Sequence, residues 1–214
     1  MEFTLTEQTQ ESLRFELNDT AETYAKYPFH FKLLITYKIV DNHLKITWKV
    51  DNTNDHKMYF SIGGHPAFLC PIQEKTKQTD YTLRFDTADR IISSVLGEGG
   101  LLTNEKKTYA LDNGVLAVTK DLFDNDALVI EENQAHEVSL AYGEEKPYLT
   151  VRFEAPLFGI WSPPKKEAPF ICIEPWYGRC DRADYTGSLE NREWGNVLEA
   201  GKSFEASYEV TVGE

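Results

Sequence analysis

Two residues in this sequence have the type and the setting for proton-transfer chemistry. His65 lies in "SIGGHPAFLCPI" (61–72), behind Gly63 and Gly64 and directly before Pro66. The glycines permit a backbone geometry or close approach that other residues refuse. The proline removes an N–H and holds His65 extended, so the segment is expected to stop a strand and fix the direction of the imidazole. Taken alone, a histidine at a strand end is more often structural than catalytic. Glu174 lies in "PFICIEPWYGRCDR", where strand parity puts Phe170, Cys172 and Glu174 on one side and Ile171 and Ile173 on the other. A carboxyl extending an apolar row is partly desolvated, which lifts its pKa from about 4.3 toward neutrality and suits a general base working near pH 7. A salt bridge to Arg179 or Arg182 is the competing reading, and the residues alone leave both open. Pro175 is expected to end the strand.

Other candidates are weaker. Asp121, Asp124 and Asp126 in "DLFDNDALVI" match a calcium loop only loosely, because its glycine and closing glutamate are missing; a turn with solvated acids is the simpler reading. His30, His43, His56 and His136 have no H-x-H or H-E-x-x-H spacing and receive no ligand role. Trp161 in "GIWSPP" and Trp176 beside Glu174 fit either a core or a platform for a sugar ring, with core the default. The sequence holds no nucleophile elbow, P-loop or dinucleotide fingerprint.

The elements that must position these residues are strands. Alternation of period two puts Phe31, Leu33, Ile35, Tyr37 and Ile39 on one face, and Leu44, Ile46, Trp48 and Val50 on another, with "DN" at 41 and 42 as a two-residue hairpin turn. Further strands are expected at Leu13–Leu17, Lys57–Ile62, Tyr81–Asp86, Val115–Thr119, Ala127–Ile130, His136–Tyr142, Tyr148–Phe153, Phe170–Glu174 and Phe204–Val212. No helical periodicity lasts three turns. Residues 20–28 hold at most a short helical turn, and "ADRIISSVLGEGG" reads as a loop with a brief ordered stretch. A dozen strands without a linker or repeat indicate one all-β domain over 1–214, a large antiparallel β-sandwich or a barrel. A sandwich would leave a broad concave face on one sheet, suited to carbohydrate.

Composition narrows the partners. Against 22 Lys and Arg stand 35 Asp and Glu, and the net charge of −13 repels a phosphate backbone or an anionic membrane surface, so neither nucleic acid nor membrane is an expected partner. No apolar stretch reaches the roughly 18 to 20 residues of a membrane span, and the N-terminus does not read as a targeting segment. Cys70, Cys172 and Cys180 are odd in number and lack a C-x-x-C spacing, so the expected compartment is a reducing cytoplasm.

Together, "GGHPAF" (63–68), "DNDALVI" (124–130) and "GIWSPP" with "APFICIEPWYG" (159–178) resemble the aldose 1-epimerase (galactose mutarotase) family, and look closest to its LacX-like branch. The resemblance covers nearly the whole chain. It implies a large antiparallel β-supersandwich and an isomerase that interconverts the α and β anomers of a hexose. It places the general acid on His65, the general base on Glu174 and the substrate-binding aspartate on Asp126, with Asp124 as the alternative; Trp161 and Trp176 join as substrate-binding platforms. The implied chemistry needs no metal or other cofactor. Family members carry an N-terminal H-G-x-x-R-like stretch, and this sequence starts at "MEFTLTEQ", so early strands are expected to be missing and an exposed edge could support a homodimer. A carbohydrate-binding protein without turnover is the alternative function. An epimerase for phosphorylated hexoses, relying on Arg179 and Arg182, ranks last.

Overall fold

The strongest alternation makes the longest hairpin. In the computed structural model, which describes residues 1–213, Phe31–Val40 and His43–Asn52 pair antiparallel along their whole length. Asp41 turns the chain with φ 53, a left-handed conformation that Asp tolerates better than branched residues do.

In chain order the strands are β1 (Thr4–Gln8), β2 (Ser12–Asn18), β3 (Phe31–Val40), β4 (His43–Asn52), β5 (Met58–Phe60), β6 (Ile62–Gly63), β7 (Ala67–Leu69), β8 (Tyr81–Phe85), β9 (Arg90–Leu96), β10 (Leu102–Ala110), β11 (Val115–Ala117), β12 (Leu128–Ile130), β13 (Glu137–Tyr142), β14 (Leu149–Phe153), β15 (Leu157–Trp161), β16 (Phe170–Tyr177), β17 (Asn196–Leu198) and β18 (Ser203–Val212). A nine-stranded sheet runs β1-β2-β3-β4-β18-β14-β13-β8-β11. A seven-stranded sheet runs β10-β9-β12-β15-β16, with β6 and β7 both pairing the far side of β16. The fold is all-β, with large antiparallel sheets, as the alternation indicated. One four-residue helix, α1 (Ala21–Tyr24), is capped by the Thr20 hydroxyl accepting from the Thr23 amide. No helix among the described residues is long and apolar enough to cross a membrane.

The two large sheets meet through alternate side chains. Trp48, Leu83, Val138, Leu140, Val151 and Val210 from the first join Ile91, Leu128, Ile130, Phe158, Ile160, Ile171 and Ile173 from the second in one buried cluster. Each such side chain contributes roughly 1.5–3 kcal/mol by leaving water. Because Ile171 and Ile173 face this core, Cys172, Glu174 and Trp176 must face the opposite side of the seven-stranded sheet.

Three expectations need correction. Residues 90–96, read as mostly loop, form β9 between β10 and β12. Ser93 and Ser94 interrupt the apolar pattern there, yet both are buried and bonded: Ser93 Oγ accepts from the Val129 amide and Ser94 Oγ donates to Glu131. The expected strand over 57–62 is split, with β5 pairing β17 and β6 pairing β16. Finally, β16 runs through Pro175 to Tyr177. Pro175 is tolerated because its missing N–H faces the strand partner at the gap between β6 and β7, where the ladder is already broken by Pro66.

Candidate active site

The gap between β6 and β7 is what brings the two candidate residues together. Trp176 lies opposite Gly63 and Cys172 opposite Ala67, the same register on both sides of the gap. Carried through the gap, that register sets His65 opposite Glu174. The Gly64 amide donates to the Pro175 carbonyl at 3.0 Å, and the Cys70 amide to the Pro169 carbonyl at 3.1 Å, so the intervening His65–Glu174 position is a non-hydrogen-bonded pair. Such pairs hold their side chains closest. His65 Nδ1 is 3.3 Å from Glu174 Oε1. The prolines do not end a strand so much as remove donors on either side of this pair while leaving its register intact.

The environments of the two groups differ. The Glu174 side chain is 5% exposed and the His65 side chain 63%. Burial is the largest influence on Glu174 and lifts its carboxyl to about 7; the Trp176 indole N–H, donating to the carboxylate, pulls the other way, and the negative charge of Asp126 adds to the rise. Glu174 is therefore poised to take and return a proton at neutral pH. The salt bridge to Arg179 or Arg182 does not form. Arg179 Nε bonds Glu131 at 2.7 Å and its Nη2 bonds Glu193, while Arg182 Nε bonds Glu193 at 3.1 Å. These carboxylates also occupy the guanidinium faces on which the phosphorylated-hexose reading relied.

Trp176 is held by what its neighbours lack. A Cβ at Gly63 would stand 2.7 Å from Trp176 Cδ1, and one at Gly159, opposite Glu174 on β15, would overlap the six-membered ring. Gly63 thus serves close approach, and its φ is not in the left-handed region. The indole lies across both glycines. Trp161, opposite Cys172 on β15, meets the His65 ring edge to face at 5.7 Å and 86°. Asp126 takes φ 71 in the turn before β12, with Oδ1 accepting from the Ala127 amide, and its charge is felt at Glu174. All five sequence-derived site residues gather on this side of the seven-stranded sheet. Cys172, read only as part of an apolar row, joins them, and Gly159 escaped notice because its role depends on a cross-strand neighbour. The remaining histidines are elsewhere, His30 on Asp19, His43 on Glu209, His56 on Asp55 and His136 on the Phe153 carbonyl.

A substitution at Gly159 tests the seating of Trp176. Gly159→Ala should push the indole off the strand, slow proton transfer through Glu174 roughly tenfold or more, and move the acidic limb of the pH–rate profile upward as the pKa-lowering influence of Trp176 on Glu174 weakens. An unchanged limb together with an unchanged rate would show that Trp176 has no hold on the carboxyl.

Comparison with known proteins bears on the family and the fold. The sequence signature of the family described as Aldose 1-epimerase matches residues 1–211. The plasmid and chromosomal forms of Protein LacX from Lactococcus lactis subsp. lactis are each 30% identical over 215 residues, covering 99% of this chain and 72% of LacX. A galactose mutarotase related enzyme from Lactobacillus acidophilus superposes with a TM-score of 0.91 at 33% identity, over 100% of this chain and 72% of that one. A galactose mutarotase-like protein from Lactobacillus casei ATCC 334 gives a TM-score of 0.87 at 25% identity, over 99% and 73%. With the signature running almost end to end and the fold shared along the whole chain, the protein is an aldose-epimerase-like isomerase and belongs to the aldose 1-epimerase family.

Proposed function

We propose that this chain interconverts the α and β anomers of a free aldohexose, with Glu174 as general base and His65 as general acid. The observation that carries the assignment is the cross-strand pair: a buried carboxyl raised to about 7 directly opposite an accessible imidazole at 3.3 Å. Anomerisation needs this proximity, because the hydroxyl that loses a proton and the ring oxygen that gains one are bonded to the same carbon. Glu174 takes the proton of the anomeric hydroxyl while protonated His65 gives one to the ring oxygen. The bond from C1 to the ring oxygen breaks and leaves the open-chain aldehyde. Rotation about C1–C2 presents the other carbonyl face; His65 then recovers its proton from the attacking hydroxyl, and Glu174 returns its own to the new anomeric oxygen. Both groups end as they began.

Asp126 is proposed to bind a sugar hydroxyl, and Trp161 and Trp176 to flank the apolar face of the ring. The names of the structural relatives make galactose the first sugar to test, with glucose as comparison. The three free cysteines, two of them buried, favour a reducing, cytoplasmic setting. A core cluster drawn from both large sheets supports one sandwich domain over the chain. The open outer side of β6 and β7 is the edge at which a homodimer would be sought.

The test is polarimetry on freshly dissolved α-galactose and α-glucose, with sugar affinity measured in parallel. The expected result is relaxation faster than buffer, reduced by roughly 100-fold or more in His65→Asn. Sugar binding with relaxation no faster than buffer would replace this reading with that of a carbohydrate-binding protein.

A further inference from the structure

A ring nitrogen of His65, the Cys172 thiol and a carboxylate oxygen of Glu174 lie within 4.8 Å of one another. Cys172 is buried on the strand that carries Glu174, two residues earlier and on the same face, opposite Ala67 and Trp161. It has no part in the proton transfers described above. Nitrogen, sulfur and carboxylate oxygen in one small cluster are the donor set of a borderline-soft divalent ion, whereas magnesium and calcium favour oxygen ligands. Tetrahedral zinc, with bonds of about 2.0–2.3 Å, needs its ligands roughly 3.5 Å apart, so side-chain movements on the order of an ångström suffice.

We propose that His65, Cys172 and Glu174 form an inhibitory zinc site, at which a single Zn²⁺ takes hold of both members of the acid–base pair through the adjacent thiolate. The metal replaces the thiol proton, which leaves to solvent, and three protein ligands leave a fourth position for water or a sugar hydroxyl. His65 and Glu174, engaged through lone pairs, can no longer exchange protons with a sugar. Inhibition rests on the assignment of that pair as acid and base; metal binding does not, since any role for the pair leaves the three donors in place.

Two measurements separate the parts. Co²⁺, a spectroscopic stand-in for zinc, is added to the unaltered protein and to Cys172→Ser and Cys172→Ala, and the near-ultraviolet thiolate-to-cobalt band is followed; zinc affinity is then found by competition with a chromophoric chelator. The expected result is a one-to-one cobalt complex with that band in the unaltered protein, no band in either variant, and zinc affinity at least tenfold weaker in both. Anomer exchange by the unaltered protein should fall at least tenfold on zinc addition, recover with chelator, and be insensitive to the same concentration of Mg²⁺. Each variant, normalised to its own metal-free rate, should lose most of the zinc sensitivity. Absence of the band in the unaltered protein, or zinc affinity unchanged in both variants, would overturn the site. A normal cobalt complex with zinc-insensitive exchange would overturn inhibition while leaving the metal site. No exchange at all, with the cobalt complex intact, would count against the catalytic reading alone.

Discussion

Glu174→Gln should lose anomer exchange by about three orders of magnitude and yet be more stable than the unaltered protein at pH 8. The first effect follows from removing the proposed general base, since general acid–base groups contribute roughly 10²- to 10⁴-fold. The second follows from linkage. The Glu174 carboxyl is raised from 4.5 to about 7 by burial, so the folded state holds its proton more tightly than the unfolded chain does. Stability associated with that proton is fully present below about pH 4.5, is lost as pH rises toward 7, and above 7 the fold carries a buried, ionised carboxylate. The shift corresponds to about 3 kcal/mol, which the neutral amide avoids. Urea unfolding at pH 4 and pH 8 checks this: the variant's advantage should be small at the lower pH and large at the higher. A variant that is inactive and also less stable at pH 8 would mean that Glu174 makes stabilising contacts in its ionised form.

Arg179→Met should have the largest effect on stability, a loss of about 3–5 kcal/mol. The Arg179 side chain is 2% exposed and bonds Glu131, itself 6% exposed, on one side and Glu193 on the other. Glu131 stays ionised despite its burial, because Ser94 and Arg179 bond its carboxylate and hold its pKa below the usual value. Removing the guanidinium strands that charge in a dry setting, which costs far more than the net worth of the pair. Replacing Glu131 as well, with Gln, should restore much of the loss, so a double-mutant cycle in urea reads the coupling directly. Additive losses at the two positions would show that the arginine acts through its packing and not through Glu131.

Much of the fold was legible where strands face two different environments. β4 alternates cleanly in burial and β18 does so over its middle, while β3 alternates in residue type but runs from half-buried to exposed along its length, leaving Tyr37 and Ile39 at the surface. The Asp41–Asn42 turn between β3 and β4 follows from residues that tolerate positive φ. β15, "LFGIW", carries no alternation because its residues are buried on both faces, four of the five fully. β10 is largely polar and exposed and is defined by its partner β9 more than by its own residues. The serines of β9 hid that strand for the opposite reason, being polar groups satisfied inside the fold.

The site divides along similar lines. Parity along β16 placed Glu174 correctly on the face turned away from Ile171 and Ile173, and the Gly-Gly-His-Pro segment marked an interrupted strand. What the chain order alone does not contain is the register that sets those two segments side by side. Only that register converts a strand-end histidine and a buried glutamate into a pair in contact, and shows that Arg179 is committed to other carboxylates. The seating of Trp176 over Gly159 is equally a property of neighbouring strands.

The central claim is that His65 and Glu174 jointly open and close the sugar ring. It is tested most directly by NMR exchange spectroscopy on the anomeric signals of equilibrated galactose, from pH 5 to 8 with chelator present, for the unaltered protein, His65→Asn and Glu174→Gln. Exchange above buffer that rises as Glu174 ionises through about pH 7, and that falls away in both variants, is the result expected here. Exchange by the unaltered protein no faster than buffer, or exchange undiminished in either variant, would contradict it.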